Sequence, residues 1–213
     1  MIEDEDYTIG RDAVAIGFST RAAGYRSFAE GYATKSLGSA SHSEGYFTIS
    51  SGDYSHGEGF QTKSTGYSSH TEGTGTTASG TDSHSEGLGT VANHRSQHVF
   101  GQYNIADTSE NSANDRGDYV EIVGNGNVRI PSNARTLDWD GNEVLAGKLT
   151  VGVAPTESMD VTTKGYVDTN ISNVSDTIPT NVSDLQNDAN YIDASGAPVQ
   201  SVNNQTGDIV ITA

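Results

Sequence analysis

Small residues alternate with larger, mostly polar residues along the first half of the chain, and glycine interrupts this alternation every seven residues. Grid glycines run from Gly10 to Gly101, and only His94 takes the place of one. The alternation predicts short extended segments with two opposite faces, each closed by a glycine bend. A fixed period of this kind predicts a repeat architecture. A coiled coil is excluded because glycine disfavours helix and no large apolar residue recurs twice in each heptad.

The full repeat is fourteen residues long, because alternate seven-residue segments differ in composition. One kind reads Ser-His-x-Glu-Gly, as in residues 41–45, and the other begins with threonine, as in residues 62–66. Stacking such two-segment units predicts a parallel β-solenoid with about 4.8 Å between rungs. About six rungs fit between the first and last grid glycines, which gives a roll roughly 30 Å long.

Counting back from each grid glycine assigns side chains to faces. The residues four and two positions earlier are small, such as Ser27 and Ala29, so we expect them to fill a narrow interior on the same side as the glycines. The residues three and one position earlier point outward. Those of the Ser-His-x-Glu-Gly segments, and of their counterparts at both ends of the roll, are named face A. Those of the threonine segments are named face B, which is predicted to be solvated.

Face A is predicted to be the interface of a homotrimer, because its exposed apolar ends need a partner. An interior of Ser, Ala and Thr also buries too little apolar area to stand alone. The predicted interface residues are Val14, Ile16, Phe28, His42, Glu44, His56, Glu58, His70, Glu72, His84, Glu86, His98 and Phe100. Aromatic residues directly after the glycines of face A are predicted to stack between rungs: Phe18, Tyr32, Tyr46 and Phe60.

These motifs resemble a known family. Residues 13–17 (Ala-Val-Ala-Ile-Gly), together with the repeated Ser-His-x-Glu-Gly, resemble the YadA-like head repeats of trimeric autotransporter adhesins, over about residues 8–103. The resemblance implies left-handed parallel β-rolls that assemble as a trimer, with the Val-Ala-Ile-Gly face turned toward the threefold axis.

The sequence predicts four segments in an otherwise all-β chain. The β-roll head covers residues 1–103, and a β-rich connector with a hairpin at Asp140-Gly141 covers residues 104–158. A short coiled-coil stalk covers residues 159–180, and a linker with a terminal β segment covers residues 181–213. The prediction of a stalk is based on the spacing of Val167, Ile171, Val174 and Ile178, and Pro179 is predicted to end it.

The later segments also resemble parts of phage proteins. Residues 132–152, 163–171, 182–192 and 201–211 are similar to segments of tail-fibre, baseplate and minor structural proteins of phages and prophages. The N-terminus shows no secretory signal, and no stretch has the length of a membrane helix. These features favour a phage particle over the cell-anchored frame of an adhesin, and an extracellular, virion-borne location.

Composition limits the classes of partner that the chain is expected to bind. The net charge is −17 and the chain contains no cysteine, so neither disulfides nor thiol chemistry are available. Such acidity argues against binding to nucleic acid or insertion at anionic lipid, both of which need clustered Lys and Arg.

The repeated His/Glu pairs are the one group of residues in the sequence whose side chains suggest a polar network, a metal site or catalysis. The favoured interpretation is a polar interchain network in which imidazole donates to carboxylate. A metal on the threefold axis and a catalytic role are weaker alternatives, and we predict no cofactor, metal or catalytic residue. The threonine column that includes Thr48 and Thr62 is typical of ice-binding solenoids, but it falls on the inward face.

The function predicted from the sequence is therefore a non-enzymatic, trimeric fibre segment of a phage or prophage tail. It would act as stalk or receptor-binding part, with an unknown glycan or protein receptor on the cell surface and other tail or baseplate proteins as neighbours. The alternative is the head of a bacterial trimeric surface adhesin that binds host matrix or other cells.

Overall fold

The computed structural model describes residues 9–109, 115–152, 155–157, 160, 162, 164–177, 201–202 and 205–206. The chain divides into two units, Met1–Leu149 and Thr150–Ala213. The strands of the roll are β1 (Val14–Phe18), β2 (Arg21–Ala22), β3 (Phe28–Tyr32), β4 (Lys35–Ser36), β5 (His42–Ser43), β6 (Ile49–Ser50), β7 (His56–Gly57), β8 (Lys63–Ser64), β9 (His70–Thr71), β10 (Thr77–Ala78), β11 (His84–Ser85), β12 (Val91–Ala92) and β13 (His98–Gln102).

Odd-numbered and even-numbered strands form two separate parallel sheets. The odd strands lie in the order β1-β3-β5-β7-β9-β11-β13, and the even strands run from β12 back to β2 in a sheet of six. Each strand pairs with the strand fourteen residues away, as His42 does with His56 and Lys35 with Ile49. The predicted β-solenoid and its fourteen-residue rung are confirmed.

The interior of the roll is filled by hydroxyl and methyl groups. The inward Ser, Thr and Ala residues of the middle rungs are almost completely buried, and this includes the whole threonine column from Thr20 to Thr90. In five successive rungs, from Ser27 to Ser83, one serine donates a hydrogen bond from Oγ to the carbonyl of the glycine three residues earlier, as Ser55 does to Gly52 at 2.6 Å. These serine hydroxyls therefore find hydrogen-bond partners inside the roll, whereas the hydroxyls of Thr34 and Thr62 have none among the described residues.

Grid glycines are required on both sides of the roll. A Cβ atom on Gly45 would collide with the carbonyl oxygen of Gly59, and one on Gly52 with that of Gly66, each fourteen residues and one rung away. The glycines that end the face A segments also have φ between 94° and 128° and are exposed. The expectation that these glycines lie on the inward side is wrong, because their positive φ turns the strand at this point.

A second series of positive φ angles, two residues after the grid positions, forms the corners of the roll. It recurs every seven residues from Asp12 to Tyr103, and every member has φ between 41° and 65°. Most members carry a side chain, but Gly75 and Gly89 hold the position as glycine. Each corner residue described from Arg26 onward donates its N–H back to the preceding rung, as Phe47 does to the carbonyl of Tyr32 at 2.9 Å. The left-handed conformation is thus fixed by one backbone hydrogen bond per corner.

The sheet that carries face A continues beyond the roll. Strand β14 (Tyr119–Asn125) pairs in parallel with β13, with Gly124 opposite Gly101, so β14 occupies the place of a further rung. Larger apolar side chains enter the interior here, and Ala92, Val99 and Ile122 form a small apolar cluster with Tyr119 packed against it. One sheet therefore spans the predicted boundary at residue 103.

Two antiparallel strands complete this sheet. Strand β15 (Asn133–Asp138) pairs with β14, and β16 (Glu143–Leu145) pairs with β15 across a turn at residues 139–142. Arg135 lies between the carboxylates of Glu121 and Glu143, at 2.8 Å and 2.6 Å, and so links all three strands.

The second unit contains helix α1 (Lys164–Thr177) and the antiparallel pair β17 (Ser201–Val202) and β18 (Gln205–Thr206). Val167, Ile171 and Val174 are exposed on α1. Ile178, Pro179 and the predicted linker over residues 182–192 lie outside the described residues. Among the helices that the structure describes, none combines the length and apolar character that a membrane span requires.

Candidate functional site

Face A forms two adjoining columns on the outer surface of the odd-numbered strands. Strand pairing aligns the first column in register along the roll: Val14, Phe28, His42, His56, His70, His84 and His98. The second column contains Ile16, Glu30, Glu44, Glu58, Glu72, Glu86 and Phe100. The structure thus brings all thirteen predicted residues onto one face. Glu30, which the sequence also assigns to face A but which was not among the predicted interface residues, lies in the second column with the other glutamates.

The five histidines of the first column form a continuous stack. Their ring centroids are 4.6–4.9 Å apart and their planes deviate by 3–15°. Phe28 contacts His42 at one end, and Phe100 contacts His98 at the other, with centroids at 5.0 Å and 5.2 Å. The strand spacing dictates this stack, since identical residues at identical rung positions lie one above another.

The imidazoles from His42 to His84 lie near a glutamate of the preceding rung and one of their own rung, whereas His98 has Glu86 before it and Phe100 in its own rung. The Nε2–Oε1 distances are 4.0 Å for His42–Glu30, 3.8 Å for His56–Glu44, 3.7 Å for His70–Glu58 and 3.5 Å for His98–Glu86. The Nε2 atoms of the stack are shielded from solvent and have no hydrogen-bond partner among the described residues. Hydrogen bonds of this type are about 2.7–3.2 Å long. The His–Glu distances within one chain exceed this length, and the predicted interchain network stays a prediction.

Two histidines of the stack, His56 and His84, favour the neutral imidazole. Burial lowers the pKa of His56 and His84 below the ordinary 6.5, and the neighbouring His70 acts in the same direction. Glu44 opposes this shift at His56, and Glu72 opposes it at His84. A cation stacked on another cation is unfavourable, so partial burial and neighbouring rings both stabilise the uncharged form.

Glutamates of successive rungs also interact. A hydrogen bond between the carboxyl groups of Glu72 and Glu86 lowers the pKa of Glu72 and raises the pKa of Glu86. The two groups therefore hold one proton between them more readily than two separate carboxylates would.

A shallow groove runs beside the glutamate column. Its volume is about 590 Å³, and grid glycines and Phe100 are among the residues that line it. The glutamates that line it are Glu58, Glu72 and Glu86. An open groove lined by glycines admits another backbone or side chain at close range.

Aromatic rings form a separate column beyond the glycines of face A. Phe18, Tyr32, Tyr46 and Phe60 are stacked at centroid distances of 4.8–5.3 Å, as the sequence predicts. Between 40% and 67% of each residue's surface is exposed, so the column presents ring edges to solvent. Phe47 packs edge-on against Tyr32 and Tyr46.

A polar cluster at the end of the roll was missed by the sequence reading. Asn104 accepts a hydrogen bond from the N–H of Val91 at 2.8 Å and donates to its carbonyl at 3.1 Å, so it replaces the next strand beyond β12. Asp107 is buried and accepts from the N–H groups of Asp118 and Tyr119. The signal that could have located the cluster was the loss of the grid glycine at His94.

No family model matches the chain, and no curated protein matches it. The geometry itself offers a rigid face with apolar ends, a His/Glu centre and an exposed aromatic column beside it.

Proposed function

We propose that the chain is a trimeric fibre segment of a phage or prophage tail that attaches to the bacterial surface. Face A carries this proposal. Val14 and Ile16 are 47% and 55% exposed at one end of the face, although the interior of the roll contains only small side chains over most of its length. Exposed apolar residues in a row, beside a core that buries little apolar area, favour association with further copies.

Three copies arranged around a common axis would cover face A. The resemblance of residues 13–17 and of the Ser-His-x-Glu-Gly repeat to YadA-like heads supports this arrangement and a left-handed roll. In the trimer the apolar ends of each face A pack against their equivalents, and the His/Glu centre supplies interchain polar contacts.

Helix α1 fits the same assembly. Val167, Ile171 and Val174 follow one another at intervals of four and three residues and are 41–58% exposed. Such spacing suits the seam of a short coiled coil, which three parallel copies of α1 would form.

Attachment would rest on repetition rather than on one deep pocket. The aromatic column and the strongly acidic surface recur in every copy, and the receptor would be a glycan or protein of the cell envelope. Linking three weak contacts on one rigid support raises the overall affinity by orders of magnitude.

Absolute mass from multi-angle light scattering tests the assembly. We expect about three times the chain mass of 22.3 kDa, and a stable monomer would overturn the trimer. Pull-down with purified bacterial envelopes then tests attachment. Binding to matrix-coated surfaces, without binding to envelopes, would instead favour the head of a bacterial surface adhesin.

A further inference from the structure

The centre of face A contains four overlapping sets of possible metal ligands. Each set is one imidazole with the glutamates of its own and the preceding rung, such as Glu44, His56 and Glu58. The ligand atoms of a set lie within 4.8 Å of one another, and the same arrangement recurs in four successive rungs up to Glu86. Every ligand comes from a single chain.

The His–Glu separations suit a shared cation better than a direct hydrogen bond. Zinc binds imidazole nitrogen at about 2.0–2.1 Å and carboxylate oxygen at about 2.0–2.2 Å, so two ligands of a tetrahedral site are about 3.4 Å apart. Within the sets, the measured Nε2–Oε1 distances are 3.7–4.0 Å, which is closer to that value than to the length of a hydrogen bond.

The unpartnered imidazole nitrogens and the stacked carboxylates also favour a bound cation. The Nε2 atoms of His56 and His70 have no hydrogen-bond partner among the described residues, and carboxylates of successive rungs are stacked along the roll. Removing an imidazole nitrogen from water without a partner is unfavourable, and so is placing like charges side by side. A divalent cation between them would relieve both.

We propose that these Glu–His–Glu sets bind divalent transition-metal ions of the Zn²⁺ class along face A. One nitrogen and two oxygens form an open three-ligand site whose fourth position is left to water or to a donor from another molecule. Magnesium and calcium are disfavoured because they select all-oxygen ligand sets. Neighbouring sets share a glutamate, so ions in adjacent sets would lie about 4.8 Å apart, bridged by a carboxylate.

Metal ions bound in these sites would cross-link successive rungs. A bound ion connects a histidine to glutamates of two rungs, so metal binding should resist unwinding of the roll. The proposal does not depend on trimer formation, because one chain supplies all three ligands. In this it differs from a metal on the threefold axis.

Zinc binding to the full chain tests the proposal. Metal-free protein is loaded with zinc chloride, freed of excess metal by gel filtration, and assayed for bound zinc by mass spectrometry of the elements. We expect two to four zinc ions per chain, according to whether alternate or all four sets fill. We also expect a rise in the melting temperature with zinc that magnesium chloride at the same concentration does not produce.

Two variants locate the ions. Glu58 belongs to two sets and His70 to one, so Glu58→Gln should lose more bound zinc than His70→Gln. Glu157→Gln, which changes the net charge equally at an exposed position of the second unit, should bind as wild type does. Absence of zinc binding or of a zinc-dependent melting shift in the wild type would overturn the proposal, and so would unchanged zinc binding in both Glu58→Gln and His70→Gln. Zinc binding that persists in a monomeric sample would separate this result from the fate of the trimer.

Discussion

Gly73 and Gly87 lie one rung apart, and a Cβ atom on Gly73 would collide with the backbone carbonyl oxygen of Gly87. Two residues later, Gly75 has a positive φ of 65° but nothing within 4 Å of a Cβ atom built there. A position can require glycine because rungs approach closely or because the backbone has a positive φ. Comparison of Gly73 with Gly75 distinguishes these two reasons.

Alanine substitutions at these positions should differ in cost. Gly73→Ala combines overpacking with a positive φ and should lower the free energy of unfolding by about 3 kcal/mol or more. Gly75→Ala carries only the conformational cost, about 1 kcal/mol after the entropy gain in the unfolded chain. Gly147→Ala is the control, since it has open space and no positive φ. Urea unfolding at one protein concentration measures all three, and equal losses at Gly73 and Gly75 would contradict the clash.

Asn104 should contribute strongly to the stability of the end of the roll. Its side chain satisfies both backbone groups of Val91 and is only 6% exposed, so Asn104→Ala should cost about 1–3 kcal/mol. Asn133 makes the same two bonds to the backbone of Ile105 at a more exposed place, where water can replace them. Asn133→Ala should therefore cost clearly less in the same unfolding experiment. A reversed order would argue against the capping role of Asn104.

Asp107 should make stability depend on pH in the acid range. Burial raises the pKa of Asp107, but hydrogen bonds from Ser109, Tyr119 and Asp118 together outweigh burial and bring the pKa below the ordinary 3.8. Since the folded pKa is depressed, the contribution to stability is complete above the unfolded value and is lost as pH falls through the folded one.

The Asp107→Asn variant tests the predicted loss of stability at acid pH. It should be less stable than wild type by about 1–3 kcal/mol at neutral pH, and the difference should shrink as the pH falls below about 3.8. Asp118→Asn, at an exposed side chain, removes the same charge and should show neither effect. A difference between Asp107→Asn and wild type that stays constant with pH would exclude a titrating Asp107 as its cause.

The proposed interface can be tested by a matched pair of exposed residues. Ile16 on face A and Leu37 on face B are 55% and 38% exposed in the single chain. Ile16→Glu places a charge at the proposed trimer contact and should shift the mass in light scattering from trimer toward monomer, whereas Leu37→Glu should leave the mass unchanged. Equal masses for both variants would remove face A from the interface.

The rung period and the small interior were predictable because both follow from local alternation and side-chain size. The corners were not, because Asp12, Arg26, Phe47 and Tyr54 all adopt the left-handed conformation and share no chemistry. Only Gly75 and Gly89 hinted at this second series, and in the sequence they look like exceptions to the grid.

The candidate site was predicted as a set of residues but not as a set of contacts. Alternation places His56 and Glu44 on the same outward face, yet it does not specify how far a side chain leans toward the neighbouring rung. The contact between His56 and Glu44, twelve positions apart, depends on that lean. Asn104 and Asp107 were missed because they follow the last repeat, where the loss of the grid glycine at His94 marks a change but does not say which side chains take part in it.

The constant fourteen-residue register has a consequence for how such a chain can change length. Duplication or loss of one whole unit, such as residues 46–59, leaves every remaining pairing, corner and glycine contact intact, and changes the reach of the roll by about 4.8 Å. Insertion of a single residue would instead turn the interior of its segment toward solvent. Recombination between near-identical repeats can therefore adjust reach in discrete steps, while both ends of the roll keep their own sequences.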